Sequence, residues 1–81
     1  MPIMYSTPWC GYCRRLKMQL EREAIPFVEV DISDDPAAVD YVMSVNGGNE
    51  TVPTLRFGDG TALTNPTIGD VKRHLEVAAL V

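Results

Sequence analysis

The only two cysteines of this chain stand two residues apart, in the run Thr7-Pro8-Trp9-Cys10-Gly11-Tyr12-Cys13-Arg14-Arg15. Just before them Ile3-Met4-Tyr5 is a short apolar run of strand character, and just after them a helical pattern begins. A cysteine where a strand hands over to a helix sits among unpaired backbone N–H groups at the positive end of the helix dipole. Both favour negative charge, so Cys10 should ionise below the roughly 8.5 of a free cysteine. The thiolate is the species that attacks disulfides. The pair therefore points to thiol–disulfide exchange, with Cys10 as nucleophile. Cys13, one helical turn on, should be more shielded and able to attack Cys10 to close an internal disulfide.

Size and composition narrow the alternatives. Eighty-one residues, 46% of them hydrophobic and 22% charged, suit one globular domain spanning 1–81. A net charge of −4 leaves no basic excess for nucleic acid. Arg14, Arg15 and Lys17 nevertheless form a basic patch beside the cysteines. It could hold a thiolate or steer an acidic partner, or it could simply be a solvated helix face. One C-x-x-C supplies two metal ligands where a closed zinc site takes four, and only His74 and carboxylates remain, so no metal is expected. No run approaches the roughly 20 apolar residues of a membrane span, and the start does not read as a signal peptide. The expectation is a cytoplasmic protein, where disulfides are transient and catalytic, and a monomer.

The elements that must position the cysteines follow in order. Pro2 to Ser6 reads as a strand buried on both faces. Cys13, Leu16, Leu20 and Ala24 make the inward stripe of a first helix, with Pro26 expected to end it. Phe27 to Ile32 is a second strand, completing a right-handed parallel βαβ unit. Asp35 and Pro36 open a second helix that runs to about Val45 and stops at Asn46-Gly47-Gly48-Asn49. Val52 to Phe57 and Thr61 to Thr64 form a hairpin around Gly58-Asp59-Gly60. Asn65-Pro66-Thr67 caps a third helix with the stripe Ile68, Val71, Leu75 and Ala78. The fold class is α/β, in the order β-α-β-α-β-β-α: a mixed four-stranded sheet with helices on both faces. His74 reads as a surface histidine near a helix C-terminus, and the methionines as gap fillers.

Trp9-Cys10-Gly11-Tyr12-Cys13 after a short strand, followed by Thr51-Val52-Pro53-Thr54 in this element order, resembles the glutaredoxin branch of the thioredoxin fold. Ser44-Val45-Asn46-Gly47-Gly48-Asn49 and Leu63-Thr64-Asn65-Pro66 narrow the resemblance to the mycoredoxins, bacterial glutaredoxin-like proteins that use mycothiol rather than glutathione. Where glutaredoxins carry Gly-Gly and an acidic residue before the last helix, this chain reads Thr64-Asn65-Pro66-Thr67. Those hydroxyl and amide groups suit a pseudodisaccharide such as that of mycothiol.

The resemblance implies roles for the remaining residues. Cys10 would take mycothiol from a protein mixed disulfide, and a second mycothiol would resolve the product; Cys13 would be a secondary redox residue. Val52-Pro53 would be a cis bond opposite the nucleophile, leaving the Val52 backbone free to pair with substrate; the residues alone also allow an edge-strand proline. Trp9 and Tyr12 would form the rim of a binding surface that includes Thr51, Val52, Pro53, Thr64, Asn65 and Thr67. Implied partners are mycothiol as reducing co-substrate, S-mycothiolated proteins and, indirectly, mycothiol disulfide reductase. The competing readings are a glutathione-using glutaredoxin, a dithiol donor to ribonucleotide reductase through Cys10 and Cys13, a metal or iron–sulfur module, and a redox-dependent binding protein without turnover.

Overall fold

Alternation along the first strand sets the layers of the molecule. In a computed structural model, which describes the backbone of residues 1–79 and the side chains of 1–77, strand β1 spans Ile3–Ser6. Met4 and Tyr5 are adjacent and point to opposite faces, yet both are buried, at 0% and 5% exposure. A strand that is apolar on both sides must be covered on both sides. Met4 joins Leu16, Leu20, Leu55, Phe57 and Val71 in one cluster, beneath helices α1 (Gly11–Arg22) and α3 (Ile68–Ala79). Tyr5 joins Ile32, Ala38 and Val42 in the other, beneath α2 (Pro36–Val45).

The sheet order is β2-β1-β3-β4, with β2 at Val28–Asp31, β3 at Thr54–Arg56 and β4 at Ala62–Thr64. β1 pairs in parallel with β2 and antiparallel with β3, and β3 pairs antiparallel with β4. The mixed sheet and the helices on both faces are as the sequence predicts. The ladders are shorter than the apolar runs. Phe27 packs beneath the first cluster without joining the ladder, and Ile32 opens a single 3-10 turn over 32–34. No helix is long and apolar enough to cross a membrane among the described residues. The α3 stripe holds at Ile68, Val71 and Leu75; the side chain of Ala78 lies outside the described residues.

Two expectations are corrected. Pro26 does not end α1. The helix stops at Arg22, where Ala24 adopts φ +55° and the N–H groups of Ala24 and Ile25 turn back to the carbonyls of Glu21 and Leu20. This left-handed turn closes the helix before the proline is reached. His74 is not an open surface residue. Its ring lies 4.1 Å from that of Phe57, and its Nε2 is 3.1 Å from Asp59 Oδ2 in the hairpin turn. Leu75 and Val71 pull that side of α3 onto the sheet, and the histidine comes with them.

Glycine tolerates the left-handed region at no steric cost, whereas alanine does not. Ala24→Gly should therefore raise stability by about 0.5–1 kcal/mol. A higher urea midpoint at unchanged slope is the expected result.

Candidate active site

Helix α1 begins at Cys10, and the cysteine itself is the cap. Its backbone is extended (φ −88°, ψ 112°), and its Sγ accepts a hydrogen bond from the Cys13 N–H at 3.1 Å. A serine or aspartate oxygen usually fills this place. The Cys10 N–H returns to the Thr7 carbonyl at 3.2 Å, so Thr7-Pro8-Trp9-Cys10 is a closed turn that fixes the sulfur relative to the end of β1. Cys10 is partly exposed, and both cysteines are free.

Cys13 faces inward, 2% exposed. Burial pushes its thiol from 9.0 up to about 12, with the neighbouring Cys10 sulfur and Glu29 adding to the rise and the Thr7 backbone opposing it. The two sulfurs thus differ in kind. One is partly exposed and receives an N–H; the other is buried, and burial raises its thiol.

The segment opposite Cys10 comes from far along the chain. The Val52–Pro53 bond is cis, and the Val52 carbonyl lies 3.9 Å from Cys10 Sγ. Among the described residues the Val52 N–H has no hydrogen-bond partner. Polar contacts on both sides hold this segment. The Asn65 N–H, with Asn65 at φ +46°, donates to the Pro53 carbonyl at 2.7 Å, and the buried Thr54 hydroxyl donates to the Thr51 carbonyl at 2.8 Å. Asn46 Nδ2 in turn donates to Thr54 Oγ1 at 3.1 Å and to the Val42 carbonyl at 2.8 Å, while its Oδ1 accepts from the Thr64 hydroxyl.

A groove of about 270 Å³ runs beside the helix that Cys10 caps, lined by Tyr12, Arg15, Leu16 and Gln19 of α1 and by Asn65, Pro66, Thr67 and Ile68. Thr67 caps α3: its Oγ1 accepts from the Asp70 N–H at 3.0 Å, and Asp70 accepts the Thr67 N–H at 3.1 Å. The Thr67 N–H, and next its hydroxyl, hold the Asp70 carboxyl below its usual range. Of the residues singled out in the sequence, Tyr12, Asn65 and Thr67 share this groove. Trp9 stands outside it, 72% exposed, and Thr51 is exposed on the far side of Val52. Thr64 is turned away and engaged with Asn46. Lys17 leaves the basic patch to pair with Glu29 at 2.9 Å.

Sequence reasoning overlooked Gln19 and the bridging role of Asn46. Gln19 stands at i+7 from Tyr12 and i+4 from Arg15, so helical spacing carried the signal. Asn46 was legible only as a helix stop, because its partners lie 8 and 18 residues away.

Comparison with known proteins agrees with this geometry. Residues 3–61 match the glutaredoxin family profile. A Mycobacterium tuberculosis protein named as a candidate glutaredoxin is 54% identical over 72 residues, covering 89% of this chain and 86% of that one. Mycoredoxin 1 of Corynebacterium glutamicum is 42% identical over 76 residues, 94% of each chain. The crystal structure of a glutaredoxin from Archaeoglobus fulgidus superposes with a TM-score of 0.74 at 23% identity, covering 89% of this chain and 82% of that one. That last likeness concerns the fold.

Two outcomes follow from the geometry. Between pH 9.0 and about 12 native Cys13 retains a proton that the unfolded chain has released. Stability should therefore fall as pH rises through that window, by at most about 1.4 kcal/mol per pH unit. Urea titrations should show a steeper fall in the native sequence than in Cys13→Ala, where Tyr41 and Lys17, both also raised, still contribute. Asn46→Ala should cost about 1–3 kcal/mol by stranding its partners, read as a lower unfolding midpoint.

Proposed function

This chain belongs to the glutaredoxin family and is a glutaredoxin-type thiol–disulfide oxidoreductase homologous to mycoredoxin 1; we propose that it reduces mixed disulfides between mycothiol and proteins or small thiols. The observation that carries this reading is the partly exposed Cys10 sulfur, held by an N–H at a helix start, with a groove along the same helix that offers the polar groups of Tyr12, Gln19, Asn65 and Thr67 beside Arg15.

In the proposed cycle the Cys10 thiolate attacks the mycothiol sulfur of the mixed disulfide. A Cys10–mycothiol bond forms, the original S–S bond breaks, and the protein thiolate leaves and takes a proton from solvent. A second mycothiol, as thiolate, then attacks the mycothiol sulfur bonded to Cys10. Mycothiol disulfide is released, to be recycled by its reductase, and Cys10 returns as thiolate. The Cys13 N–H steadies negative charge on the departing and returning sulfur. The Cys13 thiol stays protonated near neutral pH and is a poor competitor for Cys10, which favours resolution by an external thiol.

The groove supports the choice of small thiol. The Asn65 amide, Thr67 and Tyr12 hydroxyls and Gln19 amide offer donors and acceptors to sugar hydroxyls, and no carboxylate lines the groove to receive a charged amino end. The Val52 backbone, with Pro53 and Thr51 beside it, would pair with the extended segment around the client's cysteine, and Trp9 would shelter the exchanging sulfurs.

Cys10→Ser should abolish turnover of a mycothiol mixed disulfide, and Cys13→Ser should keep most of it. Loss of activity in Cys13→Ser would instead favour the dithiol route. In a side-by-side assay the mycothiol mixed disulfide should turn over at least about tenfold faster than the glutathione one, a difference of about 1.4 kcal/mol. Asn65→Ala should lower kcat/KM for mycothiol about fivefold, the size of one lost hydrogen bond. Faster turnover with glutathione would overturn the assignment of the small thiol.

A further inference from the structure

The charges of this molecule are sorted. Four of its seven cationic side chains, Arg14, Arg15, Lys17 and Arg22, lie on α1, although the chain as a whole is net negative. Lys17, Lys72 and Arg73 each have a carboxylate partner, and Arg56 stacks on the Tyr41 ring. Among the described residues Arg14, Arg15 and Arg22 have none, and all three are exposed. Asp34, Asp35 and Asp40 gather instead at the start of α2, across the sheet, whereas Glu29 and Asp31 of β2 share a cleft with Arg14 and Lys17.

The unpaired arginines are arranged. Arg14 and Arg22 stand at i and i+8 with Met18 between them, and residues four apart share one helix face. Met18 is 59% exposed, and Trp9, just ahead of the helix, is 72% exposed; Tyr12 faces the groove instead, with Arg15 and Gln19. Exposed aromatic and methionine side chains interleaved with arginine are the composition of a protein interface core. A merely solvated helix face has no need of large apolar side chains. The stripe also starts beside the Cys10 sulfur, where a client cysteine must arrive.

We propose that the outer face of α1, from Trp9 through Arg14 and Met18 to Arg22, docks client proteins whose target cysteine is followed by an acidic surface. This rests on the exchange activity proposed above and names its protein partner. The arginines steer and orient the client, and Met18 and Trp9 bury against it. The mycothiol groove lies on the adjoining side of α1, so both parts of a mixed disulfide can be held at once.

The test uses short cysteine peptides carried as mycothiol mixed disulfides, glutamate-rich in one and lysine-rich in the other, beside a small-molecule mycothiol disulfide. At low ionic strength the acidic peptide should be reduced about tenfold or more faster than the basic one in kcat/KM. The ratio should shrink as salt rises to about 0.15 M. Arg14→Glu with Arg22→Glu should erase or invert the preference while turnover of the small disulfide stays unchanged, and the Arg14→Gln, Arg22→Gln pair should fall between. Equal rates for the two peptides, or a preference that survives the glutamate substitutions, would overturn the docking face. An absence of turnover on the small disulfide in the native chain would instead overturn the exchange reading beneath it.

Discussion

A sulfur atom caps the first helix, and the arrangement of the site follows from that one contact. The Cys13 N–H bonded to Cys10 Sγ at 3.1 Å satisfies a donor that the helix leaves unpaired. It also aims that donor and the helix dipole at the Cys10 sulfur. The same turn of helix carries Cys13 inward, where burial holds its proton. A single capping geometry thus separates two chemically identical side chains into a partly exposed sulfur and a buried one.

Sheet topology supplies the other wall. β1 and β3 run antiparallel, with Tyr5 opposite Thr54, so the end of β1 that leads to Cys10 lies beside the start of β3. That brings Val52 to the sulfur across 42 residues of sequence. The connection would be loose without support, because Thr51 to Pro53 belong to no strand. Asn46 at the end of α2, through the amide that also bonds the Val42 carbonyl, and the Asn65 N–H in the turn before α3 provide the support. The site is therefore held by the termini of all three helices, and its precision is a property of caps and turns more than of the core.

Much of this was legible in the sequence because its signals are local. The switch from an apolar run to helical spacing at Cys10, the Asp35-Pro36 start and the Asn46-Gly47-Gly48 stop each depend on neighbouring residues. So does the hairpin, where the Gly60 N–H closes on Phe57 and Gly60 takes φ +90°. The misses were long-range or depended on competing local forms. Pro26 is a true helix breaker, but a left-handed Ala24 acted first. His74 lies on the flank of the α3 stripe, and only the hairpin brought Phe57 and Asp59 against it. The hydroxyl of Thr64 looked available until Asn46, distant in sequence, claimed it.

The central claim is that folding makes the Cys10 sulfur a better nucleophile by giving it an N–H donor and a helix start while leaving it accessible. The rate of alkylation at Cys10 by iodoacetamide, in a Cys13→Ser background near neutral pH, measures this most directly when native chain is compared with the same chain unfolded in urea. A native rate well above the unfolded one is the predicted result. A native rate equal to or below it would mean that the cap does not activate the sulfur, and the account built on it would be wrong.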